Sequence, residues 1–426
     1  MKILGIVVEY NPFHNGHLYH LEEARKMVKP DVTVAVMSGN FVQRGEPAII
    51  NKYARCEVAI DQGVDLVIEL PTIFSIQDAG GFALGSVWTL DLIFATHMVF
   101  GSETADLEML KTTADVLIHE PDDYTSSLKT HLKKGLSFPN ARKFALRDFL
   151  AREFGPLSER IEEIGRSNNI LGLEYITAIK LLGSQIDVSV VKRVGADDTE
   201  TEFTGEFSSA TAIRNMIAAE EWDRVKQSVP ETSYAALRRE FSAGRGPVTP
   251  ESLETTIISL IRANTREKFS GIYGFGEGLD ARFKFCADRC TALHDLLDCI
   301  KTKRFTRTRI SRTILNAVFG IEPTFVKKSR ACGPQFLRVL GFNNRGREFL
   351  SYVKKDLSVP LITTASMWKK LLAKSQKGNL EIDAALFKEQ LFLDFRASSL
   401  FGFLCPQRNT VDGIMDFTEP VRYREE

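Results

Sequence analysis

The strongest constraint on the fold is a repeated change of hydrophobic period along the first half of the chain, where short β-branched runs alternate with amphipathic helical stretches. Lys2–Val8 and Val32–Met37 are apolar and end in turn-rich sequence, Glu9-Tyr10-Asn11-Pro12 and Ser38-Gly39-Asn40. Asp65–Leu70, His97–Phe100 and Ile186–Val191 read as further strands. Between them, His17–Val28 brings Leu18, Leu21, Ala24 and Val28 near one face, and Asn51–Gln62 and Ile170–Leu182 also read as helices. Alternation of this kind builds a parallel sheet covered by helices, so the expected class is α/β. Residues 104–165 read as mainly helical, an insertion in the sheet domain.

At 426 residues the chain exceeds one typical domain. The stretch from Phe241 to Pro250 holds two Gly and two Pro, which breaks any regular element. The expected domains are therefore 1–240, carrying the sheet, and 250–426, mostly α-helical. The second shows helix-length patterns at Ser252–Asn264, Ala281–Lys301 and Arg309–Phe319. No apolar run approaches the roughly 18 residues of a membrane span, and Ile3–Val8 is too short for a signal-sequence core, so a cytoplasmic location is expected. Six cysteines without a C-x-x-C pair give neither a disulfide framework nor a zinc site; reduced thiols and no bound metal are expected. Cys286, Cys290 and His294 do not change this, because on one continuous helix the outer two stand about 12 Å apart by rise alone.

The segment Lys2–His20 places a strand, a turn, and a helix opening with His14-Asn15-Gly16-His17. At the carboxyl end of a strand, helix-terminal N–H groups face the crevice where open α/β sheets bind ligands, and they suit phosphate. Gly16 lets the backbone approach a ligand closely. His14 and His17 can both project toward one phosphate chain, donating hydrogen bonds to oxygens whose negative charge grows as the α-phosphorus is attacked. The alternative is that two histidines near a helix start form a surface cap. A second segment favours the first reading. Phe207–Arg214 follows a loop containing Gly205 and leads into a helical stretch at Ile213–Glu221. There Ser208 or Ser209 is a natural N-cap, and Thr211 and Arg214 fall in the first turn, facing the same kind of anion.

The formal net charge is zero, yet residues 251–426 hold 29 Lys+Arg against 20 Asp+Glu, and residues 301–350 alone hold 12 against 2. Lys301, Lys303, Arg304, Arg307, Arg309 and Arg312 form a run without an acid, leading into a helix whose Ile310, Ile314, Val318 and Phe319 supply the apolar face. The six cations are thus expected in solvent. Such a row is either a solvated face or a surface for a polyanion, where it gives affinity and salt sensitivity but little sequence choice. Lys327, Lys328, Arg330, Arg345 and Arg347 would extend it.

The H-x-G-H at His14–His17, with S-x-T-x-I-R at Ser209–Arg214, resembles the nucleotidylyltransferase superfamily, whose members transfer an adenylyl or cytidylyl group. Longer strings resemble a narrower group, the tRNA(Met) cytidine acetate ligases: GIVVEYNPFHNGH from Gly5, SGNFVQRGEPA from Ser38, VFGSE from Val99 and NNILGLEY from Asn168. The similarity continues at EGLDARF from Glu277 and KTKRFTRTR from Lys301, and so covers most of the chain.

This resemblance implies a Rossmann-like parallel-sheet nucleotidylyltransferase (HUP-type) domain with a helical insertion, followed by a mostly α-helical tRNA-binding domain. It also implies a two-step reaction. Acetate and ATP give acetyl-adenylate and pyrophosphate; the wobble cytidine (C34) of elongator tRNA(Met) then takes the acetyl group, giving N4-acetylcytidine and AMP. His14 and His17 are the implied catalytic pair. Carried over position by position, the ATP site comprises Val7, Val8, Glu9, Tyr10, Asn11, Pro12, Phe13, His14, Asn15, Gly16, His17, Leu18, Tyr19 and His20. Gly101, Asn168, Arg193, Val194, Ser209, Thr211 and Arg214 complete it. The implied tRNA contacts are the six cations from Lys301 to Arg312. Magnesium is a plausible companion of ATP that no residue pattern specifies, and the oligomeric state is not legible. Ala210 departs from the wider superfamily, many members of which carry a second hydroxyl there. No short motif marks the acetate; Ser38-Gly39-Asn40 and Gln43-Arg44 are the places to look. Two other functions stay open: a nucleotidylyltransferase for a small phosphorylated metabolite, and a non-catalytic RNA-binding protein with a nucleotide-sensing pocket.

Overall fold

The computed structural model describes residues 1–155, 165–195, 200–376, 382–407 and 412–425; part of the expected helical insertion, 156–164, lies outside the described residues. Five strands follow the sequence reading to within two residues: β1 (Ile3–Val8), β2 (Val32–Ser38), β5 (Leu66–Leu70), β6 (His97–Ser102) and β7 (Asp187–Lys192). A small antiparallel hairpin, β3 (Phe41–Val42) with β4 (Glu46–Pro47), leaves the end of β2. β2 and β5 are buried along their whole length, which is why their sequences run apolar instead of alternating.

Strands β5, β2, β1, β6 and β7 are neighbours in that order and all parallel. From β1 the chain builds outward through β2 and β5, then returns to lay β6 on the other side of β1. That reversal opens a crevice beyond the carboxyl ends of β1 and β6, the place where open α/β sheets bind ligands. Helices Leu107–His119, Asp122–Lys133 and Phe138–Phe154 lie between β6 and β7 as the insertion.

The sheet does not stop at residue 250. β8 (Leu337–Asn343) pairs antiparallel with β5, and both β9 (Leu361–Ile362) and β10 (Arg422–Arg424) pair parallel with β8. The expected division into 1–240 and 250–426 therefore cuts across one sheet. A buried ionic cluster joins the same parts: Lys52 Nζ lies 2.7 Å from Glu69 Oε1 and 2.8 Å from Asp416 Oδ1, and Arg338 Nη2 lies 2.9 Å from Asp416 Oδ1. Helices predominate in the rest of the second half, including Glu254–Ala263, Arg307–Phe319 and Ala384–Leu404.

Two expectations are corrected there. The helical pattern at Ala281–Lys301 is broken into Leu279–Ala287 and Leu293–Ile300. The chain reversal between them brings Cys286 and Cys299 together, with Cα atoms 5.8 Å apart, and they form a disulfide where reduced thiols were expected. The premise of a continuous helix also falls; what removes Cys286 as a metal ligand is its bond to Cys299.

Candidate active site

β1 runs straight into the site. Past Glu9, Tyr10 adopts a left-handed backbone (φ 50°), and the turn leads to the helix Asn15–Val28. His14 caps that helix: its Nδ1 accepts from the Gly16 N–H at 3.1 Å, while His17 Nδ1 accepts from the His14 N–H at 3.2 Å. This is a reciprocal capping box built from imidazoles. A Cβ on Gly16 would sit 3.0 Å from His14 Cε1, so glycine leaves the ring its place.

An Nδ1 that accepts carries no proton, so each neutral ring holds its proton on Nε2 and can donate it. The rings stack with centroids 3.7 Å apart, and Tyr10 and Phe13 back His17 at 5.0 and 5.7 Å. Burial, helped by His14, Arg193 and His20, holds His17 well below the usual histidine range. His20 is pushed down to about 4 by burial and Arg193. At neutral pH these two imidazoles are uncharged.

The facing wall is the helix Ala210–Ala218. Its cap is Ser209, whose Oγ accepts from the Ala212 N–H at 3.0 Å, whereas Ser208 Oγ donates to the Gly205 carbonyl at 2.8 Å. Arg214 Nη1 donates to the Asn11 carbonyl at 2.8 Å and Nη2 to Thr211 Oγ1 at 3.4 Å, which ties the two sequence motifs together. Across the crevice, Arg193 Nη1 donates to Asn168 Oδ1 at 2.9 Å, and Asn168 Nδ2 donates to Glu103 Oε1 at 2.7 Å. Glu103 also accepts from the backbone N–H groups of Asn168 and Asn169 at 3.2 and 3.0 Å, anchoring the helix Ser167–Leu182. The Asn168 amide is thus engaged at both ends by protein and serves to aim Arg193.

The floor is held by buried Arg55, which donates to the carbonyls of Glu9, Ser38, Gly39 and Ile50 and so pins the carboxyl ends of β1 and β2. Glu9 Oε1 accepts from the Gln43 N–H at 2.7 Å and from Ser38 Oγ at 3.4 Å. Burial raises the Glu9 carboxyl above its ordinary value, against the pull of the Gln43 N–H, Arg44, Arg55 and Arg214.

Together these walls enclose a cavity of 270 Å³. Of the expected nucleotide residues, Val7, Val8, Glu9, Tyr10, Asn11, His14, Gly16, His17, Tyr19, His20, Gly101, Asn168, Arg193, Val194, Ser209, Thr211 and Arg214 line it. Pro12, Phe13, Asn15 and Leu18 are not on its lining. Phe13 is buried behind His17, Asn15 Nδ2 donates to the carbonyls of Glu206 and Gln227, and Leu18 packs on the core. Phe82, Phe100, Tyr175 and Phe207 also line the cavity, and an aromatic at core spacing carries no local mark of a site; Glu46 reaches the lining from β4 of the hairpin. Of the places to look for acetate, Gln43 and Arg44 are on the lining; Asn40 instead turns to the Lys52 N–H and Ser398.

The basic run behaves unevenly. Its helix starts at Arg307, capped by Thr306. Lys301, Lys303, Arg304 and Arg307 are exposed. Arg304 and Arg309 share Glu277 at 3.0 and 3.4 Å, and Arg307 pairs with Asp298 at 2.8 Å. Arg312 departs from the expected solvated row: its Nη1 turns inward toward the Gln43 carbonyl at 3.4 Å, and burial lowers its pKa. The cause is the close packing of this helix on the β3–β4 turn, where Gly45 has φ 81° and a Cβ would lie 2.5 Å from the Arg312 nitrogen. The basic helix therefore abuts the hairpin that lines the cavity. Among the described residues no group of three His, Cys, Asp or Glu could hold a metal ion, and no helix is long and apolar enough to cross a membrane.

The HIGH Nucleotidyl Transferase family profile matches residues 1–413. A tRNA(Met) cytidine acetate ligase of Kosmotoga olearia is 52% identical over 94% of each chain, and one of Thermotoga maritima is 47% identical over 98% of this chain and 100% of its own. Crystal structures of Thermotoga maritima TmcAL cover all of both chains. The apo form superposes with a TM-score of 0.96 at 47% identity, and the form bound with alpha-thio ATP with 0.93 at 45%.

Proposed function

The chain belongs to the tRNA(Met) cytidine acetate ligases, within the HIGH nucleotidyl transferases, and from that premise we propose how its cavity carries out ATP-dependent acetylation of a tRNA cytidine. The observation that carries the reading is the stacked His14–His17 pair, each presenting an Nε2 donor at the carboxyl end of β1, opposite Thr211 and Arg214. A triphosphate laid across the helix start meets these donors at its α-phosphate and the leaving pyrophosphate. One acetate oxygen attacks the α-phosphorus, and the bond to the β-phosphate bridging oxygen breaks. The negative charge that builds up then falls on donors already in place, so no reorganisation is needed at the moment of reaction. Arg193, aimed by Asn168 and Glu103, adds positive charge on the adenosine side, and Arg44 on the hairpin wall is placed to receive the acetate carboxylate.

In the second step the N4 amine of the wobble cytidine (C34) of elongator tRNA(Met) takes the acetyl group and AMP leaves. Lys301, Lys303, Arg304, Arg307 and Arg309 supply the phosphate-binding surface, and its contact with the hairpin sets the anticodon beside the cavity. Residues 1–240 would then hold ATP and residues 250–426 would hold tRNA, while sharing one sheet. An enzyme consuming ATP and tRNA works in the cytoplasm. Mass analysis of nucleosides from elongator tRNA(Met) incubated with protein, ATP and labelled acetate tests the reading. Labelled N4-acetylcytidine is expected; an unlabelled RNA in the presence of intact ATP would defeat it.

A further inference from the structure

The second half-reaction needs a base. The lone pair of a cytosine exocyclic amine is delocalised into the ring, so the amine attacks a carbonyl efficiently only if a proton leaves as the new bond forms. His14 and His17 cannot take it: each Nδ1 already receives a backbone N–H, and each Nε2 is the protonated donor. His20 Nε2 is buried without a partner among the described residues, but a ring held near 4 is a weak base at neutral pH.

Glu9 is differently placed. It stands where β1 ends at the crevice and lines the cavity. Both its hydrogen bonds, from the Gln43 N–H and Ser38 Oγ, go to Oε1, and no described residue donates to Oε2. One oxygen fixes the carboxylate; the other is open. Its neighbours Arg44, Arg55 and Arg214 offset the charge it would add beside a carboxylate substrate.

We propose that Glu9 is the general base of acetyl transfer, its Oε2 taking the proton from the cytidine N4 amine as that nitrogen attacks the acetyl carbonyl. The N4–C bond forms and the C–O bond to the adenylate phosphate breaks. The electron pair leaves with AMP, and the proton passes from Glu9 to solvent. Burial, by raising the basicity of this carboxylate, brings it nearer the working pH. The inference rests on the acetate-ligase reading and adds to it the residue that moves the proton.

The test separates the two half-reactions. Acetyl-adenylate is formed on the enzyme from ATP and labelled acetate, elongator tRNA(Met) is added, and transfer is followed in single turnovers from pH 5 to 8.5; acetate-dependent ATP–pyrophosphate exchange is measured in parallel. Wild-type transfer should rise with pH and level off. Glu9→Gln, which keeps an acceptor for the Gln43 N–H, should lose that limb and slow transfer by about 10²-fold or more beyond any loss in exchange. Glu9→Asp, with a carboxylate set back by one methylene, should transfer slowly but keep the pH limb. The proposal is overturned if Glu9→Gln transfers like wild type, if exchange and transfer fall together, or if Glu46→Gln removes the limb instead. Should Glu9→Gln fail to fold, a flat pH profile in Glu9→Asp would overturn it equally. Absence of both exchange and transfer in the wild type would instead strike the acetate-ligase reading itself.

Discussion

His17 performs two tasks with two nitrogens, and substitutions can separate them. Nδ1 caps the helix through the His14 N–H at 3.2 Å; Nε2 is the donor that the proposed mechanism offers to phosphate. An asparagine at 17 places an acceptor near the position of Nδ1 but reaches no farther, whereas a glutamine either turns back to cap the His14 N–H, as at the third position of an ordinary capping box, or extends an amide N–H toward the position of Nε2, but not both at once. Loss of one preorganised donor to a developing charge typically costs 10²–10³ in rate, about 3–4 kcal/mol. Loss of one cap costs about 1 kcal/mol of stability and little else. His17→Asn should therefore melt near wild type while acetate-dependent ATP–pyrophosphate exchange falls about 10²–10³-fold. His17→Gln, able to cap or to donate but not both at once, should recover only part of the rate, and His17→Ala should suffer both losses. Because the ring is already neutral and held well below 6.5, wild-type exchange should not gain as pH falls through 6.5. The donor argument fails if His17→Asn exchanges near the wild-type rate, or if lowering the pH through 6.5 accelerates exchange.

Other consequences are more local. His20 titrates near 4 in the folded chain against 6.5 unfolded, so its contribution is complete above pH 6.5 and is lost as pH falls from 6.5 toward 4, by on the order of 3 kcal/mol. Denaturant unfolding of His20→Gln beside wild type should show the gap between them narrowing on acidification. Lys52→Met leaves Glu69 and Asp416 to share one buried cation, Arg338, with one negative charge uncompensated, and urea unfolding should report a loss of about 3–5 kcal/mol. Glu277→Gln releases Arg304 and Arg309, so tRNA should bind more tightly with a log–log salt slope steeper by roughly one to two. Arg304→Ala with Arg309→Ala should move both in the opposite direction, and an unchanged slope in either variant would remove this helix from the tRNA surface.

What the sequence disclosed was local. The His14–His17 spacing, the Ser209 cap with Thr211 and Arg214, and the five parallel strands all depend on residues near one another, and their limits in the structure lie close to those the patterns suggest. What it concealed depends on distant partners. Leu337–Asn343 is an apolar run like any core segment until β5 pairs with it, and nothing beside Cys286 announces Cys299 on the returning helix. Arg312 belongs by spacing to a solvated row, yet it turns inward because Gly45 admits the helix backbone against the hairpin turn. That exception bears on function. Residue 43 receives Arg312 at its carbonyl and holds Glu9 with its N–H, so the basic helix and the open carboxylate in the cavity are linked through a single hairpin residue. The second half of the chain thus packs on one wall of the site and props the residue that fixes Glu9.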